Sequence, residues 1–315
     1  MTVKITKAED GTILRFFLKE TLGLSSHTVT LLKSKENGIL LNGERVTVRA
    51  VLHEDDVLSL SVEDEKSNED VVPRPIPIRL LYEDDAMTVA DKPADMPTHP
   101  SHGHFEDTLA NALAYLYRDI PFVFRAITRL DRETSGAVLV ARNAVSAHRL
   151  ALAMKSGEIK KSYFALVYGE TPDEGCVTLP IRRKEGSVIL RETHPDGAPA
   201  ETPYRTLARG GGFSLVAVFP KTGRTHQIRL HFASIGHPLA GDCLYGHEGD
   251  GFPRTMLHAA GLRFVHPDLG TPLAVFSPLP DDFCDALSRL SLPMPREDDA
   301  FPKESLASGL LQNEG

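Results

Sequence analysis

Thr128-Arg-Leu-Asp-Arg-Glu-Thr-Ser-Gly136 leads straight into Ala137-Val-Leu-Val-Ala141. The second stretch is a short apolar run bounded by a turn, so Gly136–Ala141 reads as a strand. Thr134, Ser135 and Gly136 make the turn. Asp131 stands between Arg129 and Arg132, and positive charge close by favours the ionised carboxylate. Alone, an aspartate in a polar turn reads as a cap for backbone amides. It gains chemical meaning only if other segments bring partners to it.

Working outward, Asn143–Lys155 reads as a helix, with Ala147, Leu150, Ala151 and Met154 inward and Gly157 just past its end. Asp107–Arg118 reads as another, with Leu109, Leu113 and Leu116 on one stripe and Asp107 able to cap it. Further strands are expected at Arg79–Leu81, Met87–Val89, Ser162–Val167 and Phe213–Phe219, and a last short helix around Phe283, Leu287 and Leu290. Strands and helices do not keep a βαβ rhythm. The expected body, residues 78–295, is therefore α+β: a mixed, mainly antiparallel sheet flanked by helices.

Ahead of the body, residues 62–77 carry an acidic run followed by three prolines, which favours an extended linker. Residues 1–61 then form a small module. Ile13–Leu22 and Thr28–Lys35 read as short helices, Asn42-Gly43 as a hairpin turn within Ile39–Val46, and Leu52–Leu60 as a strand. Residues 296–315 are polar and are expected to fray.

With 315 residues and 41% hydrophobic side chains, the chain can bury a core without staples. The formal charge of −8 argues against a nucleic-acid partner until its location is considered. Residues 1–61 carry 8 basic and 8 acidic side chains, and the excess acid sits in the linker and the tail. A basic groove remains compatible with that distribution. Cys176, Cys243 and Cys284 are odd in number and far apart, which speaks against a disulfide framework or a cysteine zinc site and fits a reducing cytoplasm. No apolar run approaches a membrane span of about 18 residues, and the start lacks the apolar stretch of a secretory signal.

Two other segments carry candidate chemistry. Lys221-Thr-Gly-Arg-Thr-His-Gln-Ile-Arg-Leu-His231 runs on to Asp242. Ile228, Phe232 and Ile235 at helical spacing suggest a helix with Thr225 as cap and Gly236 as stop, although Ile228, Leu230 and Phe232 also permit a strand. On a helix, His226 and Arg229 share a face, and the guanidinium could reach a carboxylate from another segment. Lys160-Lys-Ser-Tyr-Phe-Ala-Leu-Val-Tyr-Gly169 reads as a strand, and Tyr163 could stack on a planar ligand if it faces a cleft. His99, His102 and His104 lack a carboxylate or cysteine partner at metal-binding spacing, so no metal is expected. No phosphate loop or dinucleotide fingerprint is present.

Taken together, the segments resemble the RluA-type pseudouridine synthases, which isomerise uridine in structured RNA. The resemblance spans roughly residues 79–280. It opens with Leu80-Leu-Tyr-Glu-Asp-Asp, Asp91-Lys-Pro-Ala and Pro97-Thr-His-Pro100. It continues through Arg129-Leu-Asp-Arg-Glu-Thr-Ser-Gly136, Lys161-Ser-Tyr163 and Thr222-Gly-Arg-Thr-His-Gln-Ile-Arg229. Leu257-His-Ala259, His266-Pro267 and Pro278-Leu-Pro280 close it. Residues 12–60 resemble an S4-type RNA-binding module, so the small module in front is expected to be S4-like.

The resemblance implies that Asp131 is the catalytic aspartate acting at the ribose, that Arg229 pairs with it, and that Tyr163 stacks on the target base. It places Leu257 in the motif lining the uracil pocket, and makes Arg129, Arg132, Lys161, Arg224 and His226 substrate or RNA contacts. Lys160 and Arg182-Arg-Lys184 are further phosphate candidates. No metal or organic cofactor is implied. The expected enzyme is a cytoplasmic monomer acting on RNA. The front module favours 23S ribosomal RNA over tRNA, and a catalytically idle ribosome-assembly factor on the same scaffold is the contrasting reading. Four positions depart from the family pattern: Thr128 for histidine, Asp95 for glycine, Ala198 for lysine, and Asp55-Asp56 for Gly-Asp. The first three bear on substrate contacts, the last on the grip of the front module.

Overall fold

The computed structural model describes residues 1–301 apart from 25, 63–66, 69, 248 and 250. Most of the acidic run of the expected linker, and the expected tail from 302 on, lie outside the described residues.

The front module comprises β1 (Thr2–Lys4), α1 (Leu14–Phe16) running into a π-helical turn at Phe17–Thr21, α2 (Ser26–Ser34), β2 (Ile39–Leu41), β3 (Glu44–Arg45) and β4 (Val57–Leu60). Its antiparallel sheet has the order β1-β4-β2-β3. Asn42 and Gly43 both adopt positive φ, 54° and 85°, as a primed hairpin turn requires. The strand expected over Leu52–Leu60 is confined to β4, because Asp55 turns the chain at φ 69° and the Asp56 carboxylate accepts the His53 N–H. Leu14, Phe17, Leu18, Leu52 and Leu58 form the core, which Val145 of the body joins.

The body adds β5 (Arg79–Glu83), β6 (Met87–Lys92), α3 (Leu109–Leu116), β7 (Arg125–Ala126), β8 (Ser135–Ala141), α4 (Ala144–Ser156) and β9 (Lys160–Tyr168). After these come β10 (Glu174–Val177), β11 (Ile181–Arg183), β12 (Arg191–Thr193), β13 (Thr202–Gly210), β14 (Phe213–Val218) and α5 (Gln227–Ser234). The chain ends with β15 (Leu257–Val265), β16 (Pro272–Phe276), α6 (Asp281–Arg289) and α7 (Glu297–Ala300). The main sheet has the order β10-β13-β14-β9-β15-β8-β6-β5, with β16 on β15 and β7 on β8. β8 and β15 pair in parallel, and the other pairs of this sheet run antiparallel. The parallel approach needs Gly136: at φ 112°, a Cβ there would lie 2.3 Å from the Ala259 carbonyl oxygen.

Alternate side chains of each strand face opposite sides of a sheet, and β8 and β9 use both. Val138 and Val140 pack with Leu109 and Leu113 of α3, while Ala137 and Leu139 pack with Leu150 of α4. Ala165 and Val167 meet Ile228 and Phe232 of α5, while Phe164 and Leu166 meet Phe283 and Leu287 of α6. Helices thus cover both faces, and the α+β architecture follows.

Local details differ from expectation for identifiable reasons. Thr108, not Asp107, caps α3, through a reciprocal pair with Asn111, and Asp107 instead holds His104 at 2.6 Å. α4 has Asn143 as cap and Gly157 in the left-handed conformation, but its inward phase is set by Ser146, Leu150 and Ala153, so Ala151 is exposed. His226, not Thr225, is the N-cap of α5. β13 and β15 escaped the strand pattern because Pro203, Gly261 and interspersed charges break the alternation. Described residues of the linker lie against the body: Ser67 and Asn68 accept the Phe122 and Phe124 N–H groups, and Ile76 and Ile78 pack on the core. Residues 296–301 belong to the body, since Ala300 is buried and the Phe301 ring covers Gly261.

Candidate active site

The loop bearing Asp131 enters β8 with its backbone held by three buried side chains. The Thr98 hydroxyl accepts the Leu130 N–H at 3.2 Å and donates to the Leu130 carbonyl at 3.0 Å. Lys92, at the end of β6 and fully buried, donates to the carbonyls of Pro93, Met96 and Arg132. Burial, helped by the Arg254 charge, pushes the Lys92 pKa down to about 7, while the three acceptors use every N–H of its ammonium form. Arg254 grips Asp282 with Nε and Nη2, and its Nη1 donates to the carbonyls of Glu133, Thr255 and Leu257. One guanidinium therefore fixes both the loop and the start of β15.

Asp131, Tyr163, Arg229, Arg129, Lys161, Arg224, His226 and Leu257 line one cavity of about 370 Å³. Its floor comes from neighbouring strands, Tyr163 on β9 and Leu257 on β15, which places an aromatic ring beside the carboxylate-bearing loop. Burial and then the Asp131 charge hold the Tyr163 phenol well above its ordinary pKa, so it stays protonated. Lys161 donates to the Thr222 carbonyl, Arg224 to the Pro199 carbonyl and Arg129 to the Thr225 hydroxyl, so these cations are tied to the rim. Arg132 does not line the cavity; its guanidinium lies 4.0 Å from Glu133.

Arg229 pairs with Asp131 across a gap, as a loose ion pair and not as the bidentate contact that would be ideal. Arg229 Nη1 lies 3.9 Å from Asp131 Oδ2, beyond a hydrogen bond. Its bidentate partner is Asp242, at 2.8 and 2.7 Å from Nε and Nη2. Asp242 also accepts the N–H groups of Leu244 and Tyr245. Burial works to raise the Asp242 pKa, but the Arg229 hydrogen bonds and charge override it and hold the carboxyl below its ordinary value. Arg229 faces Glu133 as well, at 3.7 Å. Among the described residues the Asp131 carboxylate accepts no hydrogen bond, and its side chain keeps 24% of its exposure. The open cavity thus holds a carboxylate without hydrogen bonds beside a fixed guanidinium. Sequence reasoning missed Asp242, Lys92, Thr98 and Arg254; the signal available for them was their place in the quoted family motifs or just beside them.

Residues 86–234 match the family model for RNA pseudouridylate synthase. The chain is 37% identical over 264 residues to an uncharacterized RNA pseudouridine synthase, YjbO, of Bacillus subtilis (strain 168), covering 83% of this chain and 93% of that protein. It is 35% identical over 283 residues to ribosomal large subunit pseudouridine synthase D of Xylella fastidiosa (strain Temecula1), covering 85% and 84%. Among solved structures it is similar to human RNA pseudouridylate synthase domain containing 1, with a TM-score of 0.55, 27% identity and coverage of 70% of this chain and 97% of that one. Similarity that spans the loop, the floor strands and the α5 motif together carries the conclusion: this chain belongs to the RluA-type family of RNA pseudouridine synthases.

Proposed function

We propose that the chain converts specific uridines of large-subunit (23S) ribosomal RNA to pseudouridine, with Asp131 acting at the ribose of a flipped-out nucleotide. The observation that carries this reading is the Asp131 carboxylate, which accepts no hydrogen bond among the described residues and opens to a cavity whose wall is a fixed guanidinium and whose floor is Tyr163. In the reaction N1–C1′ breaks and C5–C1′ forms, C5 loses its proton and N1 gains one. Asp131 attacks C1′ or removes the C2′ proton. Arg229, anchored by Asp242, keeps positive charge 3.9 Å away without neutralising the carboxylate by direct contact. Tyr163, as a neutral phenol, stacks on uracil while it turns over in a cavity that limits water. No second carboxylate is needed to protonate a departing sugar, in contrast to glycosidases.

Extruding the uridine costs a few kcal/mol, and phosphate contacts from Arg129, Lys161 and Arg224 at the rim, with Arg132 and Arg182–Lys184 further out, offset it. Residues 1–61 serve as an S4-like module that adds grip on structured RNA, joined by residues 62–77 to the catalytic body, residues 78–301. The relatives named for ribosomal large subunit synthase D support the ribosomal target. The enzyme works as a cytoplasmic monomer, each chain holding a complete cavity.

The test is carbodiimide mapping of purified 23S rRNA and tRNA transcripts after incubation with the chain. Carbodiimide-resistant adducts at discrete 23S positions are expected. Modification confined to tRNA would move the target, RNA binding without any adduct would identify an idle assembly factor, and free uracil would identify a hydrolase.

A further inference from the structure

His226 begins α5 in a left-handed conformation, φ 57°, which a non-glycine residue adopts at a cost and which recurs at functional sites. That turn folds its imidazole into the cavity, where the side chain is 11% exposed. Its Nδ1 lies 2.9 Å from the Tyr245 hydroxyl. The same hydroxyl accepts the backbone N–H of Arg191 at 2.8 Å, and that N–H can only donate. The phenol proton is then directed to His226 Nδ1, so the neutral ring carries its own proton on Nε2. Nε2 faces Asp131 Oδ1 across 4.0 Å, too far for a hydrogen bond. One oxygen fits that gap, since two bonds of about 2.8 Å meet there at roughly a right angle.

We infer that His226 is a specificity-determining residue: its Nε2–H donates to the 2′-hydroxyl of the target nucleotide, which in turn donates to Asp131. A ribose hydroxyl both accepts and donates, and this gap offers one donor and one acceptor. The inference rests on the proposed action on RNA and names how the site reads ribose. Around the ring stand Asp131 from the loop, Arg229 on α5, Arg191 on β12, and Asp242 and Tyr245 from the following turn. Burial pushes the His226 pKa down, against the opposing pull of Asp131, which keeps the ring in the neutral form this contact needs.

The experiment uses the full chain and a 23S rRNA fragment containing a uridine that the wild type modifies. A second fragment carries 2′-deoxyuridine at that position alone. The wild type is expected to favour ribose by about a hundredfold in single-turnover kcat/KM, because the deoxy fragment loses both bonds of the 2′-hydroxyl, each worth about 1.4 kcal/mol. His226→Leu, which leaves the bond to Asp131, is expected to cut the ratio to about tenfold, and His226→Gln, which keeps an N–H donor, to restore part of the loss. Tyr245→Phe, which frees the tautomer, should fall between them. If deoxy turnover is below detection, competition of the deoxy fragment against labelled RNA reads the same ratio as affinity. A structural role would slow both substrates equally and leave the ratio alone. A full ribose preference in His226→Leu overturns the inference, while pseudouridine formed by the wild type on the ribose fragment tests the underlying reading separately.

Discussion

Asp131 and Asp242 share one guanidinium and have opposite characters. Asp242 is wholly buried, with its carboxylate filled by two N–H bonds from Arg229 and two from the backbone. Asp131 stands 3.9 Å from the other side of the same group, with no hydrogen bond to its carboxylate among the described residues. A carboxylate that accepts four N–H bonds is committed to its neighbours and serves as a strut. A carboxylate left unsatisfied in a partly dry cavity is stabilised by nearby charge yet free to act. Arg229 thus spends its directional bonds on the strut and only its field on the reactive acid.

The largest expected effect falls on the strut. Asp242→Asn puts an NH₂ group against donors and leaves a buried guanidinium with half its partner. Removing one member of a buried pair costs about 3–5 kcal/mol. Urea unfolding of the variant should show that loss, and turnover should fall with it because Arg229 is no longer held. A variant of wild-type stability would show that the pair does not anchor α5.

Asp131→Asn should do the reverse. Turnover is expected to fall more than about a hundredfold, equivalent to about 2.7 kcal/mol of lost transition-state stabilisation. Unfolding free energy should stay within about 0.5 kcal/mol of wild type, as for a residue outside any saturated network. RNA affinity should change only a few fold, because phosphate contacts dominate binding. Residual activity above about one per cent, or a stability loss matching that of Asp242→Asn, would erase the distinction between the two aspartates.

The sequence made one aspartate visible and hid the other. Asp131 announces itself by its two flanking arginines, and Arg229 and Tyr163 by residue type within distinctive segments. The strand at Ala137–Ala141, the Gly157 stop of α4 and the Asn42-Gly43 turn follow from local rules, and the structure has them. Asp242, Thr98, Lys92 and Arg254 act on atoms that are unmarked in sequence. Among their partners are backbone carbonyls, an N–H group and a guanidinium 13 to 121 residues away. Departures from the family pattern are informative here. Asp95 and Asp55 stand where glycine is usual and have φ of 60° and 69°. Aspartate is among the few residues that tolerate that region, so these positions answer a backbone demand. Thr128 likewise has a structural task, accepting the Leu139 N–H at 2.9 Å.

His258 gives the smallest effect and separates the two sides of the site by pH. It lies on β15 beside Leu257, fully buried and turned away from the cavity. Its Nε2–H donates to the Ser277 carbonyl at 3.0 Å, and its Nδ1 meets the Ser135 hydroxyl, whose oxygen accepts from Arg254. Every bond suits a neutral ring, and a proton on Nδ1 would face an occupied oxygen and a guanidinium. Burial, rather than that charge, is the main cause of a pKa lowered to about 4. The unfolded chain, with an ordinary value of 6.5, then binds more protons between these two values. The stabilisation is complete above pH 6.5 and is lost as pH falls toward 4. Between pH 7 and pH 5 the loss should reach about 2 kcal/mol from this residue. His258→Gln, which keeps a donor for Ser277 and cannot titrate, should flatten the acid limb of unfolding free energy by that amount. It should leave the acid limb of single-turnover kcat/KM, which the cavity groups set, in place. If both limbs move together, the strut side and the reactive side of the site are one titrating unit, and the division drawn through Arg229 is lost.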